Sequence, residues 1–442
     1  MKSTIAATLV LLAVVANPAA AQTRAPRFDL PLLDVPYNTS HGGRAPSMAQ
    51  SLEFTEGFYE LSHLGIERAW GRHRTLAGVS IVFFDVFAVG LPFAQVWLHE
   101  EFHRAVMGNR GIGSYNDVYK WDLFSDVVAV SHVRDEDLVR LKAEYPADQV
   151  RLGAAGMEGE LLLVRELEKN RFFHDSRALH APLYWLAKLS TFFYVLSGHT
   201  RQADELTDEG NANDGANVEV RDFTGHDFTG WAYDLHRPNE SYTARGVHPS
   251  GVGIDRYIAA RDLTSQERSY LERQGYLQLL NLLDPNLVGV HGFTVRSPMN
   301  GRPLRMNVSA GHLLTSFGHA IDVNVFLRQD DVNLFAVLHW YENGERVFPG
   351  LEAELLDYPV RVGVRQLAVS PRVAVWLQPE DQLFRSRGGE AGGLVAVRVR
   401  YPTARRFGVF AEVEGKTAGW VAGNVNLDAN VALRLGVSTR LR

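Results

Sequence analysis

The sequence contains no cysteine among its 442 residues. Disulfide bonds are therefore excluded as a source of stability. A lipoprotein anchor is excluded as well, because it needs a cysteine directly behind the signal peptide. A chain of this length without disulfides depends on the burial of an apolar core, on a bound metal or on a surrounding membrane.

The chain also carries little net charge. Its 45 Lys and Arg residues against 51 Asp and Glu residues give a formal net charge of −6 at pH 7. Because binding to nucleic-acid phosphates depends on clustered basic side chains, this charge gives no reason to expect a nucleic-acid partner. The hydrophobic fraction of 46% is that of a folded protein, and the length is sufficient for two or three domains.

The first 21 residues have the layout of a secretory signal peptide. A basic start at Lys2 is followed by an apolar run from Ile5 to Ala16 and by three small residues, Ala19–Ala21. These are the three regions that direct a chain to export and cleavage. We therefore expect cleavage before Gln22 and a mature protein in the periplasm or the outer membrane.

The next part of the chain changes from a polar segment to a helical pattern. Residues 22–50 are rich in Pro, Gly and Ser, which predicts an exposed leader. Residues 51–200 have apolar positions at three- and four-residue spacing and predict a helical domain. Two apolar stretches within it, residues 75–98 and 181–198, are of borderline length for a membrane span, and we interpret them as buried core helices. A break at residues 90–92 divides the first stretch into two segments.

Residues 201–262 are acidic, rich in Asn and Gly, and repeat the tetrapeptide Asp-Phe-Thr-Gly from positions 222 and 227. The spacing of their acidic and amide side chains does not fit a calcium-binding loop. A polar segment of this length predicts either a long surface loop or a lid over an active site. Residues 263–289 then predict a connecting helix, which begins with a capping box of Thr264 and Glu267.

The C-terminal part of the chain changes to a period of two. Apolar and polar residues alternate in residues 431–441, and residues 395–401 and 360–364 follow the same pattern. Asn343–Gly344 is a strong signal for a two-residue hairpin turn. Residues 290–442 therefore predict an antiparallel sheet of many strands, and the chain as a whole predicts an α+β fold.

A sheet with one apolar and one polar face suits two environments. In water the apolar face packs on a core, whereas in an outer membrane it meets lipid and the polar face lines a closed barrel. Residues 290–442 resemble the barrels of bacterial outer-membrane proteins, because their polar face carries several arginines and the chain ends in a strand. They depart from that pattern at Leu441–Arg442, where such barrels often end in an aromatic residue. The resemblance implies a barrel in lipid, with a large antiparallel sheet packed on the helices as the alternative.

The stretch VWLHEEFHRAVMG, residues 96–108, contains His-Glu-x-x-His. Histidines four residues apart lie on one face of a helix, and catalytic zinc is held by three protein ligands and a water. Glu100 follows His99 and can activate that water as a general base without being a ligand. These five residues resemble the centre of the zincin metallopeptidases. The resemblance implies Zn²⁺ held by His99 and His103, and peptide hydrolysis assisted by Glu100.

A third ligand must come from elsewhere in the chain. One zincin branch has a histidine six residues after the second, but Asn109 stands there and excludes that branch. The branch with a glutamate on a later helix remains, and residues 153–170 predict that helix. We prefer Glu158, because a carboxylate among apolar neighbours is costly unless it is paired or bound to metal. Glu160 is the rival on the same helix.

A second resemblance gives another candidate. Intramembrane zinc peptidases also carry His-Glu-x-x-His on an apolar helix, and they take an aspartate from a later Asp-Gly segment. Asp284 is the matching aspartate in this chain, although Pro285 stands where that family has glycine. This resemblance would make Asp284 the third ligand.

These expectations combine in an exported zinc-dependent metallopeptidase of the cell envelope, with a peptide or protein substrate and an association with a membrane. The competing interpretation is not enzymatic: an outer-membrane barrel with a helical plug, whose zinc site is structural or absent. An intramembrane zinc peptidase is the third. Zinc content and peptide hydrolysis, compared between the wild type and Glu100→Gln, would separate enzyme from non-enzyme.

Overall fold

The structure is a computed structural model and describes residues 27–40, 45–90, 95–120, 128–174, 181–403 and 407–440. The expected signal peptide, residues 1–21, and its cleavage site lie outside the described residues. In chain order the helices are α1 Met48–Trp70, α2 Arg74–Gly90, α3 Gln95–Asn109, α4 Asp135–Glu144, α5 Pro146–Phe173, α6 Ala181–Ser197, α7 Arg201–Asp214, α8 Asp227–His236 and α9 Ser265–Leu277.

The strands belong to one large sheet and one small hairpin. In chain order they are β1 Arg27–Val35, β2 Tyr115–Asn116, β3 Val130–Ser131, β4 Phe293–Arg296, β5 Pro303–Thr315, β6 Gly318–Gln329, β7 Val332–Glu342, β8 Val347–Leu355, β9 Tyr358–Val362, β10 Arg365–Pro379, β11 Gly389–Pro402, β12 Phe407–Lys416 and β13 Asn430–Arg440. The 11-stranded sheet has the order β1-β13-β12-β11-β10-β8-β7-β6-β5-β4, with β9 beside β10, and β2 pairs with β3. All of these pairs are antiparallel.

The predicted α+β class is confirmed in its general form, as helices followed by a large antiparallel sheet. The strand order begins at β1 and ends at β4, so the sheet that the described strands form is open. The predicted turn at Asn343–Gly344 lies between β7 and β8, but as a four-residue connection. The reason is the Asn343 side chain, whose oxygen accepts from the backbone N–H groups of Glu345 and Arg346 and so closes a longer turn.

Helix α5 lies at the centre of the molecule, and most of its 28 residues are buried. It packs against α3, α8 and β5. Glycine makes the approach to α3 possible, because a Cβ at Gly159 would lie 2.9 Å from the Phe102 ring. On the other side, α8 contributes Phe228 and Trp231 to a core that the sheet completes with residues such as Trp376.

Two segments expected to be irregular are ordered elements instead. The leader predicted for residues 22–50 contributes β1, whose pairing covers the edge of β13, and the start of α1. The predicted loop or lid at residues 201–262 contains α7 and α8. Buried Phe228, Trp231 and Leu235 have helical spacing, which explains why this segment packs inside the fold.

The other helical predictions have a direct counterpart. The capping box of Thr264 and Glu267 opens α9, and residues 278–282 continue it as a 3₁₀ helix. The first apolar stretch forms α2 and α3, with residues 91–94 between them outside the described part, and the second forms α6. No helix in the described ranges combines the length and the apolar character needed to cross a membrane.

Candidate metal centre

Helix α3 brings the two motif histidines together. His99 and His103 are one turn apart, and their ring centroids are 4.8 Å from each other. Both are buried, with exposed fractions of 6% and 1%. The helical spacing predicted for the motif is therefore present, and the two imidazoles face a common point inside the fold.

Helix α5 leaves room at that point. A Cβ at Gly156 would lie 2.3 Å from His99 Nε2 and 2.5 Å from His103 Nε2. Any other residue would therefore fill the space in front of both nitrogens. The glycine keeps the backbone of α5 next to the imidazoles and leaves their Nε2 atoms accessible to a small ligand.

The third group is Asp227, the first residue of α8. Its Oδ2 lies 2.9 Å from His99 Nε2 and 3.4 Å from His103 Nε2. One ligand atom from each of the three residues falls within 4.8 Å of the others, and all three residues are buried. Apart from the long contact with Asp227, the buried His103 Nε2 forms no hydrogen bond with a described residue. A buried acceptor in this position is suited to a cation.

The second nitrogen of each imidazole is held by a neighbour. His99 Nδ1 lies 2.8 Å from Glu160 Oε1, and His103 Nδ1 donates to the Leu152 carbonyl oxygen at 2.6 Å. Gln95 donates to the other Glu160 oxygen at 2.8 Å. Contacts of this kind fix the ring orientation and direct Nε2 toward a metal in proteins that bind one.

The charges around this point are mostly negative. Burial disfavours the charged form of His99, but hydrogen bonds with Asp227 and Glu160 outweigh that effect and raise its pKa well above the usual value. Burial also opposes the ionised form of Asp227, yet the nearby histidines, His103 first, lower its pKa. Tyr194 donates its hydroxyl to Asp227 Oδ2 at 2.9 Å. Among the described residues, no Lys or Arg contacts the carboxylate of Asp227 or that of Glu160.

Glu100 differs from its neighbour Glu101. Glu101 accepts from Arg104 at 2.6 Å, from Asn116 at 2.9 Å and from Tyr119 at 3.0 Å. For the Glu100 carboxylate, by contrast, the described part of the chain provides no hydrogen-bond donor, and the residue is 6% exposed. Burial is the main cause that raises the pKa of Glu100 well above the usual value.

The glutamates and the aspartate considered as third ligands have other partners. Glu158 accepts from buried Arg151 at 2.7 Å. Glu160 contacts the far nitrogen of His99, as described above. Asp284 is paired with Lys188 at 2.9 Å. The structure therefore brings His99 and His103 together, and Asp227, rather than Glu158, Glu160 or Asp284, lies in the group with them.

The donor set fits zinc. Two imidazole nitrogens and one carboxylate are among its usual ligands, and three protein ligands leave a position for water. Hard cations such as Mg²⁺ prefer oxygen ligands alone, so the two histidines favour a transition metal. The group of His99, His103 and Asp227 could hold such an ion.

Asp227 and Tyr194 are the site residues that the sequence analysis did not identify. The available signal was the repeat Asp-Phe-Thr-Gly: its second copy begins at Asp227, directly after His226. Asp227 is followed by apolar residues at helical spacing, which marks it as the start of a buried helix. A carboxylate at such a position is a candidate ligand for the same reason that led to Glu158.

Comparisons with known proteins do not assign this chain to a family. No protein-family model matches it, and no solved structure matches it. It is similar to the acetylcholine receptor subunit alpha-type acr-5 of Caenorhabditis elegans, with 26% identity over 192 residues. That match covers 39% of this chain and 29% of the receptor subunit, so the chain spans less than a third of that protein's length.

Proposed function

We propose that this chain is a zinc-dependent hydrolase that cleaves peptide bonds, with His99, His103 and Asp227 as metal ligands and Glu100 as general base. The observation that carries this proposal is the convergence of two Nε2 atoms and one carboxylate oxygen beside a glutamate without a fixed partner. The choice of peptide substrates rests on the resemblance of His-Glu-x-x-His to the zincins. Export to the cell envelope remains a prediction from the signal peptide.

Each residue has a role that follows from its contacts. Zinc in this position would supply a Lewis acid and lower the pKa of a bound water. The Glu100 carboxylate, which is buried and has no hydrogen-bond donor among the described residues, would accept the proton of that water and deliver it to the leaving amine. Glu160 and the Leu152 carbonyl would orient His99 and His103. Tyr194 would hold Asp227 through its hydroxyl.

The test separates metal binding from catalysis. Glu100→Gln preserves shape but cannot accept a proton, so hydrolysis of a mixture of quenched fluorescent peptides should fall by about 10²- to 10⁴-fold. Zinc, measured by mass spectrometry of the purified protein, should stay near one ion per chain. Glu209→Gln, an exposed position on α7, is the matched control and should change neither quantity.

A structural zinc site is the second candidate, and the burial of the centre favours it. His99, His103, Asp227 and Glu100 are all at most 6% exposed, so a substrate needs an opening to reach them. In this case the wild type would bind one zinc and hydrolyse none of the peptides, and Glu100→Gln would leave its properties unchanged. Protein without zinc would contradict both candidates.

A further inference from the structure

The large sheet has the opposite polarity to that of a protein in water. Along β10, the outward positions from Leu367 to Leu377 alternate with buried inward positions such as Trp376, and the outward side chains are apolar. Val375 is 59% exposed, and on neighbouring strands Val395 and Val431 are 61% and 69% exposed. Exposed apolar residues are common singly, but a continuous face of them is not.

Formal charge is nearly absent from this outer face. Seven neighbouring strands carry it: β13, β12, β11, β10, β8, β7 and β6. On these strands the outward positions hold a charged side chain only at two strand ends, Glu342 and Arg365. Most charges at the inward positions have a partner, for example Arg372, which pairs with Glu352 at 3.0 Å. The charges face the protein interior and the apolar side chains face out.

Helices α2 and α6 continue this polarity beyond the sheet. On α2, Leu76, Val79, Phe83 and Phe87 lie on one exposed face, while Asp85 is buried and 2.6 Å from His63. On α6, Phe193 is 61% exposed, while Lys188 points inward to Asp284.

These helices belong to a series of elements that connects β1, one edge of the open sheet, with β5, which lies beside the other edge strand, β4. β1 packs against α1, α1 against α2, α2 against α6, α6 against residues 278–282, and these against β5. Helices α2 and α6 therefore belong to a series of packed elements that links β1 to β5. We call the outward face of the seven strands, together with the exposed faces of α2 and α6, the apolar wall.

We propose that the apolar wall contacts the hydrocarbon interior of a lipid bilayer. An uncharged surface is complementary to hydrocarbon, whereas every charged group placed there would lose its hydration. The apolar part of β10 runs for about 33 Å at 3.3 Å per residue, or about 25 Å in height at the usual tilt of strands in membranes. That height equals the apolar band of outer-membrane proteins, about 25 Å.

The presence of the wall on both the sheet and the helices argues against a second copy as its occupant. Seven strands spaced about 4.8 Å apart give a width of about 34 Å, so the sheet alone presents roughly 1,100 Å². A standard interface covers about 800 Å² on each partner and an obligate dimer about 1,000–2,500 Å², so a second copy could cover the sheet. The wall also includes the exposed faces of α2 and α6, however, and a copy docked on the sheet alone would leave those faces in water. This inference does not depend on the proposed hydrolase activity.

The absence of cysteine in the sequence allows a direct test. The full chain is prepared with one cysteine, as Val395→Cys on β11, Val409→Cys on β12, Phe83→Cys on α2 or Glu209→Cys on α7, and is labelled with a fluorophore. Each protein is reconstituted into phosphatidylcholine vesicles with or without brominated acyl chains. We expect at least a twofold loss of fluorescence at positions 395, 409 and 83, and none at position 209, with circular dichroism of the wild type retained.

Three results would overturn the proposal. The first is a monomer in detergent-free buffer whose labels at positions 395 and 409 are quenched by aqueous iodide as strongly as at 209. The second is a detergent-free dimer in which those labels are shielded from iodide. The third is quenching by brominated lipid at positions 395 and 409 but not at 83, which would remove the helices from the wall.

Discussion

Two of the clusters of buried charge in the described part of the chain are neutralised in different ways. The sheet cluster lies on β1 and the inner face of β11–β13 and consists of Asp29, Asp34, Arg398, Arg400, Glu412, Glu414 and Arg434. The metal-site cluster lies between α3, α5 and α8 and consists of His99, Glu100, His103, Glu160 and Asp227. In the sheet cluster every acid contacts an arginine. In the metal-site cluster the described contacts of the acids are with histidine, amide and hydroxyl groups.

This difference appears in the pKa values of Glu412 and Glu100. Burial raises the pKa of Glu412, but Arg398 and Arg434 outweigh it and lower the pKa overall. At Glu100, burial is not outweighed, and the pKa is raised well above the usual value. Glu53, beside the sheet cluster, is intermediate: burial outweighs Arg398 and raises its pKa to about 7. Arginine stabilises the buried acids of the sheet. In the metal-site cluster the histidines lower the pKa of Asp227, but burial dominates at Glu100, and a metal ion would add positive charge beside it.

The largest expected effect comes from removing the carboxylate ligand. Asp227→Asn keeps the shape of the side chain but replaces a carboxylate by a neutral amide, which is a poor zinc ligand. We expect zinc content to fall from one ion per chain toward zero, and peptide hydrolysis to fall at least as far as in Glu100→Gln, because the Lewis acid and the activated water are lost together. Elemental analysis and the peptide assay measure the two effects separately.

Glu158→Gln is the control for this experiment, because Glu158 was the third ligand that the sequence favoured. It should lower stability, since Arg151 is left buried with a weaker partner, but it should keep its zinc. If Glu158→Gln loses zinc and Asp227→Asn retains it, the comparison between the two clusters is wrong.

The sequence predicted the local part of the site. His99, Glu100 and His103 depend on helical spacing alone, and α3 has that spacing. Asp227 could not be found in this way, because it comes from another helix, 124 residues after His103, and only the tertiary fold brings it to the histidines. The preference for Glu158 rested on a sound rule, that a buried carboxylate needs a partner, but the partner is Arg151. Arg151 is two turns away on the same helix face, so it was a visible alternative.

The fold was predictable to a similar degree. The alternation of apolar and polar residues predicted the strands, because successive side chains of a strand point to opposite faces of the sheet. The place of β1 in the sheet was not predictable from its composition, because β1 pairs with β13, a strand that lies far from it in the sequence. Its Asp29 and Asp34 contact Arg400 and Arg434.

The next effect in size concerns the sheet cluster. Arg434→Met has a similar volume but leaves Asp34, Glu412 and Glu414 with fewer cationic partners, so we expect the free energy of unfolding to fall by about 3–5 kcal/mol. Urea titration measures this change. Zinc affinity should stay unchanged, because the metal-site cluster has its own contacts.

Arg302→Met is the matched control for that prediction. Arg302 forms an ion pair with Asp330 in which the side chains are 64% and 62% exposed, and such pairs contribute about 0–1 kcal/mol. If both variants lost the same free energy of unfolding, Arg434 would stabilise the sheet cluster no more than an exposed arginine does, and the comparison would fail.

The smallest effect concerns Glu160, which contacts His99 without being in the group that could hold the metal. Glu160→Gln weakens the hydrogen bond that orients the imidazole, and loss of such a partner typically lowers metal affinity about 10- to 100-fold. Glu166→Gln, the same change on the same helix at a partly exposed position, should leave affinity unchanged. Competition with a zinc chelator measures both.

Because the orienting group is lost while all three ligands remain, zinc at saturating concentration should restore full hydrolysis in Glu160→Gln. Hydrolysis that stays low at saturating zinc would instead make Glu160 part of the reaction.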